Sequence, residues 1–214
     1  YDAIIMLEDD LVVSKEFYKY SLQSVQYYED DHQIAGISLY NYPISEFASY
    51  RTFIPLKDDT DVFFMKVPSS WGQIWTRKQW ASFRKWYIDN KTNENKFKGV
   101  IPDVALSWGE SSWKKYFYMY IAENNKYIVY PRYALSTNMA EIGTHHKMKS
   151  TAHQSILIDK FSRDYIFNNP SESDAVYDAF FENEVIGDFL NLNEKVTIDY
   201  YGIKHIKNDT RYLL

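Results

Sequence analysis

The stretch YDAIIMLEDDLVVSKEFYKY, residues 1–20, determines how the rest of the sequence is interpreted. Its residues 3–7 are an apolar run of strand length, and three consecutive acids end that run: Glu8, Asp9 and Asp10. Ser14 is a suitable helix N-cap, and aromatic residues follow it at approximately helical spacing. A strand that ends in a polar loop and leads into a helix is typical of α/β proteins, whose sites lie at the carboxyl ends of strands.

Short apolar runs predict further strands over residues 34–40, 62–67 and 127–130. Aromatic residues at helical spacing predict helices over residues 76–87 and around residues 113–121. The alternation of the two element types predicts an α/β fold with a mixed sheet flanked by helices.

Three other segments complete the expected organisation. The polar stretch over residues 41–61 is predicted to be a long loop, and loops of that length usually serve a site or are mobile. A helix is expected over residues 174–190 and a last strand around residues 196–200. We expect residues 1–147 to carry the chemistry and residues 148–214 to form a C-terminal appendage of a helix and short strands.

Composition excludes several classes of function. Lys+Arg 24 against Asp+Glu 29 gives 24 − 29 = −5, which provides no basic stripe for nucleic acid and no polybasic patch for a membrane. Without cysteine, neither a disulfide framework nor a thiolate zinc site can form. No run approaches the roughly 20 apolar residues of a transmembrane helix, and no signal peptide is visible. The expected location is the cytoplasm, or the inner face of the membrane as a peripheral protein.

The three acids after the first strand predict a cation site. Carboxylates in sequence repel one another, and a divalent cation relieves that repulsion. Mg²⁺ and Mn²⁺ prefer carboxylate oxygens, and they leave room for phosphate oxygens and water. The same acids also suit a charged loop or a helix N-terminus, so by themselves they leave both interpretations open.

The string IIMLEDDLVVSKEFYKY resembles the DXD segment of GT-A glycosyltransferases. It is especially similar to the E-D-D form in N-acetylglucosaminyltransferase I and in bacterial family 2-like enzymes of surface-polysaccharide clusters. The resemblance implies a GT-A-like fold and a metal-dependent glycosyltransferase with Mn²⁺ or Mg²⁺, a nucleotide-sugar donor (a UDP-sugar is favoured) and a glycan acceptor. It also implies that Asp10 ligates the metal, while Asp9 and Glu8 lie near the donor ribose and the metal's water shell.

A second string, VPSSWGQIWTRKQWASF, resembles the loop and helix that border donor sugar and acceptor in the same enzymes. The implied positions are Ser69, Ser70, Trp71 and Gly72. Small residues permit close approach of a ligand, and an indole face can stack on a pyranose. A tight turn around a buried Trp is the alternative interpretation.

A third string, SWGESSWKKYFYMYI, resembles the segment that carries the catalytic acid. The resemblance implies Glu110, between Trp108 and Trp113, as the general base of an inverting displacement. A carboxylate beside aromatic rings is partly desolvated, which raises its pKa toward the useful range. Ser112 stands where N-acetylglucosaminyltransferases have the acid, so Asp103 is kept as the alternative base.

A fourth string, YIVYPRYALSTNMAEIGTHHK, resembles the late segment of the bacterial enzymes. The resemblance implies that His145 ligates the metal or contacts the diphosphate through a neutral ring nitrogen, with His146 second and Asn138 as a polar contact.

Together the four strings cover residues 1–147, which the resemblance identifies as the metal- and acceptor-binding half of a GT-A domain. The nucleotide-binding strands of such enzymes precede the acidic motif, so we expect a fragment that binds sugar nucleotide weakly and that exposes sheet edges prone to self-association. Two other functions remain open. A non-catalytic carbohydrate-binding module explains the 18% aromatic content without the acids, and a metal-dependent phosphodiesterase or hydrolase normally has more ligands than five His provide.

Overall fold

A computed structural model describes residues 1–90, 94–139, 151–160, 162–190, 196–204 and 212–213. Its strands are β1 (Ala3–Met6), β2 (Leu11–Val13), β3 (Ile34–Ser38), β4 (Val62–Met65), β5 (Gln73–Thr76), β6 (Tyr127–Pro131), β7 (Ser136–Asn138), β8 (Val176–Tyr177), β9 (Val196–Thr197) and β10 (Tyr212–Leu213). Its α-helices are α1 (Phe17–Tyr28), α2 (Arg77–Asn90), α3 (Asp103–Leu106), α4 (Trp113–Glu123) and α5 (Ile186–Phe189), and short 3-10 helices cover Glu94–Phe97 and Pro170–Glu172. The α/β prediction is confirmed.

Six strands form one mixed sheet in the order β1-β5-β3-β6-β4-β8. β5 runs antiparallel to both β1 and β3, so β1 and β3 are parallel to each other. β3 is parallel to β6, β6 is antiparallel to β4, and β4 is parallel to β8. β1 therefore lies at one edge of the sheet, and the acidic loop follows its carboxyl end.

Helices cover both faces of this sheet. Successive side chains of a strand point to opposite faces, so one strand contributes to both cores. On β6, Val129 faces the core that contains Tyr20 and Tyr28 of α1. Its neighbours Ile128 and Tyr130 face the core that contains the buried aromatic residues of α2 and α4. The central strands are buried on both faces, which explains their nearly continuous apolar sequence.

The helix predicted over residues 174–190 is wrong for most of its length. The Asp178 carboxylate accepts hydrogen bonds from the backbone N–H groups of Phe180 and Glu182, at 2.8 and 3.0 Å. Phe181 then takes a left-handed conformation with φ 67, so the chain turns back instead of continuing as a helix. The residues before the turn form β8, which pairs with β4 and so joins a segment after residue 147 to the main sheet.

A separate two-stranded sheet connects the acidic loop to the chain after β6. β2 pairs antiparallel with β7, and Leu11 lies opposite Asn138. Because Asp10 immediately precedes β2, this small sheet fixes one side of the acidic loop. Across the described ranges, no helix combines the length and apolar character needed to cross a bilayer.

Candidate functional site

The acidic loop, which we define as Glu8, Asp9 and Asp10, is exposed at the carboxyl end of β1. The backbone N–H of Leu11 donates to the Glu8 carbonyl at 3.3 Å, which closes a turn within the loop. The N–H of Met139 donates to the Asp10 carbonyl at 2.9 Å. The end of β7 therefore holds the backbone of the acidic loop and leaves its carboxylates exposed.

The Glu8 carboxylate connects the acidic loop to two distant segments. Partial burial raises the pKa of this carboxyl, and the charges of Asp10 and Asp9 raise it further. A hydrogen bond from Ser70 and the positive charge of Lys114 act in the opposite direction, lowering the pKa. The Glu8 side chain is exposed to solvent, but nearby protein atoms partly desolvate its carboxylate. The Ser69–Gly72 turn and α4 thus both approach Glu8.

The turn formed by Ser69, Ser70, Trp71 and Gly72 is tightly packed. Ser69 is fully buried, and its hydroxyl accepts a hydrogen bond from the Trp71 N–H at 3.2 Å. Gly72 has φ +90, and a Cβ built on it would lie 2.9 Å from both Leu39 Cβ and Ser136 Oγ. Glycine is therefore required for conformation and for space. Of the four predicted residues, Ser70 and Trp71 retain surface accessible to a ligand.

The Trp71 indole is partly exposed and is supported from several sides. Its ring centroid lies 4.8 Å from that of Tyr40 and 5.2 Å from that of His153. The Ser136 hydroxyl donates to the Trp71 carbonyl at 2.7 Å. These contacts fix the indole next to Ser70 and hence next to the acidic loop.

Lys114 is a cationic element of the site that the sequence did not predict. Its ammonium lies 5.1 Å from the centroid of the Trp108 ring and 6.0 Å from that of the Trp71 ring. It pairs with Glu46 at 3.6 Å, and the two side chains are only 17% and 13% exposed. A signal was present in the sequence, since Lys114 lies one helical turn before the buried Tyr118 and so on the apolar stripe of α4.

The two candidate bases have their described neighbours on another side of α4. Glu110 is exposed on the turn before α4, and its charge contributes to the raised pKa of Tyr116, after burial and the charges of Glu94 and Tyr87. Asp103 borders a cavity of about 410 Å³ between the Glu94–Phe97 turn and α3. Tyr116 lies two residues after Lys114 and so points in nearly the opposite direction around the helix axis.

His153 is a further residue at the site, and no sequence pattern indicated it. It stands alone in a polar stretch, without a periodic pattern or a partner motif. The segment after it runs beside β7, where Ser155 N donates to Thr137 Oγ1 at 2.9 Å. The Tyr40 hydroxyl donates to the His153 carbonyl at 2.6 Å and so holds the backbone that carries the imidazole beside Trp71.

The predicted metal ligands are described only in part. Asp10 lies on the acidic loop, whereas His145 and His146 lie outside the described residues. Among the residues that are described, no group of three His, Cys, Asp or Glu side chains converges to hold a metal ion. Asn138 is buried in β7, and its backbone carbonyl accepts a hydrogen bond from the Gln154 side-chain amide at 3.1 Å.

No protein-family profile matches the chain, and no curated protein has a significantly similar sequence. The functional interpretation therefore depends on the motifs and on the geometry of the site.

Proposed function

We propose that this chain is the metal- and acceptor-binding part of an inverting glycosyltransferase that moves a sugar from a nucleotide-sugar donor to a glycan or polysaccharide. The observation that carries the proposal is the environment of Glu8. Ser70, through hydrogen bonding, and Lys114, through its positive charge, both act to lower the pKa of this carboxyl. Three segments that are distant in sequence, and that separately resemble glycosyltransferase motifs, therefore meet at one loop.

The acidic loop supplies the type of ligand that a hard cation requires. The charge of Asp10 raises the pKa of Glu8, so the two carboxylates are close enough to interact, and a divalent ion would relieve their repulsion. We propose Asp10 and His145 as protein ligands, with Asp9 and Glu8 near the donor ribose and the ion's water shell. Water and donor phosphate would supply the remaining ligands. When bound, the ion would stabilise negative charge on the departing diphosphate.

The acceptor would lie on the Trp71 side of the acidic loop. A carboxylate takes the proton of the acceptor hydroxyl while that oxygen forms a bond to the anomeric carbon and the bond to the diphosphate breaks. The sequence resemblance assigns this role to Glu110, with Asp103 as the alternative. Both acids have their described neighbours on the side of α4 away from Lys114, so this assignment rests on the resemblance and not on the geometry. Glu110→Gln and Asp103→Asn distinguish them, since the variant that lacks the base should lose kcat while it retains donor binding.

A non-catalytic carbohydrate-binding module is the second candidate. The partly exposed Trp71 and Trp108, with the Lys114 ammonium between them, would bind a sugar without any metal. Under this alternative, Asp10→Ala leaves glycan affinity unchanged and no nucleotide is released from any donor.

The test is release of free nucleotide by the full-length protein from a panel of nucleotide sugars with Mn²⁺ and glycan acceptors. We expect Asp10→Asn or excess chelator to lower turnover at least about a hundredfold, because several kcal/mol of charge stabilisation depends on the ion. Asp89→Asn, which removes an exposed acid from α2, is the matched control and should retain full activity. Undiminished turnover in excess chelator would exclude the metal-dependent mechanism.

A further inference from the structure

The loop over residues 41–61 presents an exposed aromatic side chain from a constrained backbone. Tyr50 is 60% exposed, and both Ser49 and Tyr50 have left-handed conformations, with φ 51 and 57. Two successive non-glycine residues in this region are uncommon, and such conformations persist where the surroundings impose them. The loop is closed beneath them by a hydrogen bond from Ser45 N to the Arg51 carbonyl at 2.8 Å. The backbone that carries Tyr50 is therefore constrained.

The Tyr50 ring continues a row of aromatic rings that leads to the acidic loop. Its centroid lies 5.5 Å from the imidazole of His153, and that imidazole lies 5.2 Å from the indole of Trp71. We call Tyr50, His153 and Trp71 the aromatic surface. Its three members come from three segments. Trp71 is linked to the acidic loop through β7, because the Ser136 hydroxyl donates to the Trp71 carbonyl at 2.7 Å and the Met139 N–H donates to the Asp10 carbonyl at 2.9 Å.

The aromatic surface is positioned before any ligand arrives. The Tyr40 hydroxyl holds the backbone of His153, and burial raises the pKa of that hydroxyl, which keeps it a donor. The Ser155 hydroxyl donates to the Asn41 carbonyl at 2.6 Å, which ties the His153 segment to the start of the Tyr50 loop. The ion pair of Glu46 with Lys114 ties the same loop to α4. Such preorganisation lowers the entropic cost of binding.

The chemistry of this surface fits a neutral saccharide. Aromatic faces contact the apolar C–H face of a pyranose, while the Tyr50 hydroxyl can hydrogen-bond to sugar hydroxyls. The charge of Lys114 is matched by Glu46, and the carboxylates of the acidic loop would repel an anionic ligand approaching Trp71. Ring spacings of 5.5 and 5.2 Å are comparable to the repeat between sugar units in an extended glycan.

We propose that the aromatic surface binds the acceptor as a neutral oligosaccharide of at least two units. The accepting unit would lie over Trp71, beside the acidic loop, and the next unit would lie over His153 and Tyr50. This assignment rests on the proposed function for its interpretation as an acceptor site, whereas the binding itself requires no metal.

The experiment is titration of the protein with saccharides in excess chelator, with binding detected by saturation-transfer NMR. The monosaccharides are glucose, galactose and N-acetylglucosamine, and the longer ligands are cellobiose, lactose, chitobiose and chitotriose. We expect Tyr50→Ala to weaken binding of the di- and trisaccharides about tenfold and to leave monosaccharide binding unchanged. Tyr50→Phe retains the ring and should bind within about twofold of wild type. Tyr133→Ala removes a tyrosine that is also 60% exposed and should have no effect.

Equal weakening of mono- and disaccharide binding by Tyr50→Ala, no weakening at all, or no binding of any of these saccharides would overturn the assignment. Failure of the proposed function has a different signature. If nucleotide release does not depend on Asp10 while the Tyr50 effect is observed, the aromatic surface stands as the site of a carbohydrate-binding module.

Discussion

Gly72→Ala should be the most disruptive glycine substitution at the candidate site, because it combines two unfavourable terms. An alanine at φ +90 adopts a left-handed backbone, which costs about 1–2 kcal/mol. Its Cβ would lie 2.9 Å from both Leu39 Cβ and Ser136 Oγ, and overpacking of this kind costs about 1–3 kcal/mol. We therefore expect the free energy of unfolding to fall by about 2–5 kcal/mol.

Alanine substitutions at two other glycines distinguish the backbone cost from the packing cost. Gly202 has φ +65 and, in the described part of the chain, a Cβ there meets nothing within 4 Å, so Gly202→Ala should cost the backbone term alone. Gly109 is outside the left-handed region and its Cβ likewise meets nothing within 4 Å among described atoms, so Gly109→Ala should be neutral or stabilise by up to about 1 kcal/mol.

The assay is urea denaturation of the wild type and the three variants, monitored by Trp fluorescence and circular dichroism. Each variant should have the m-value of the wild type, so that a shift of the midpoint reports a change in stability. The expected order of stability is Gly109→Ala and wild type, then Gly202→Ala, then Gly72→Ala. If Gly72→Ala unfolds at the same denaturant concentration as Gly109→Ala, the turn below Trp71 is not packed as described.

Three further predictions concern charged groups. Lys114→Met leaves Glu46 without its cation and should lower the free energy of unfolding by about 1–3 kcal/mol. The control Lys85→Met, on the exposed face of α2, should change it by less than about 0.5 kcal/mol. Equal effects of the two substitutions in urea denaturation would contradict the buried ion pair. Ser70→Ala and Lys114→Met should each raise the pKa of Glu8 in carboxyl ¹³C NMR, since both groups lower it, and an unchanged titration in both variants would exclude these contacts. Burial acts to raise the pKa of Asp58, but hydrogen bonds from Thr60 and the Arg132 guanidinium lower it below its ordinary value of 3.8. The stability that Asp58 contributes over Asp58→Asn should therefore be complete above pH 3.8 and disappear as the pH falls further, and a constant difference from about pH 6 to about pH 2 would refute this.

The sequence predicted those elements whose side chains follow a single period. The stripe of large aromatic residues predicted α2 and α4, and the runs IAGIS and VFFM predicted β3 and β4, because burial on one stripe or on both faces leaves a direct pattern. β5 was not predicted, since it has four residues and begins with the buried polar Gln73. Residues 174–190 have helical spacing, but the Asp178 side chain competes for the backbone N–H groups that a helix would use.

The site was predictable where its residues are adjacent in sequence. The acids of the acidic loop and the Ser69–Gly72 turn could be found as local motifs, and their meeting at Glu8 and Ser70 depends on tertiary structure. Lys114 and His153 acquire their places from Trp71, which lies 43 and 82 residues away in the chain. The helical stripe of α4 places Lys114 on the buried side of the helix, but no local pattern records its contact with Trp71 or the position of His153 beside that indole.

The location of a bound Mn²⁺ tests the proposed chemistry most directly, because the acidic loop is proposed to hold that ion. Titration of the ¹⁵N-labelled protein with Mn²⁺, with Mg²⁺ as the diamagnetic reference, reports proximity through line broadening of amide signals. We predict the strongest broadening at Glu8 to Leu11, Ser70 and Met139, and its loss in Asp10→Ala. Broadening centred instead on Asp103 and Glu94, or unchanged by Asp10→Ala, would contradict a metal site at the acidic loop.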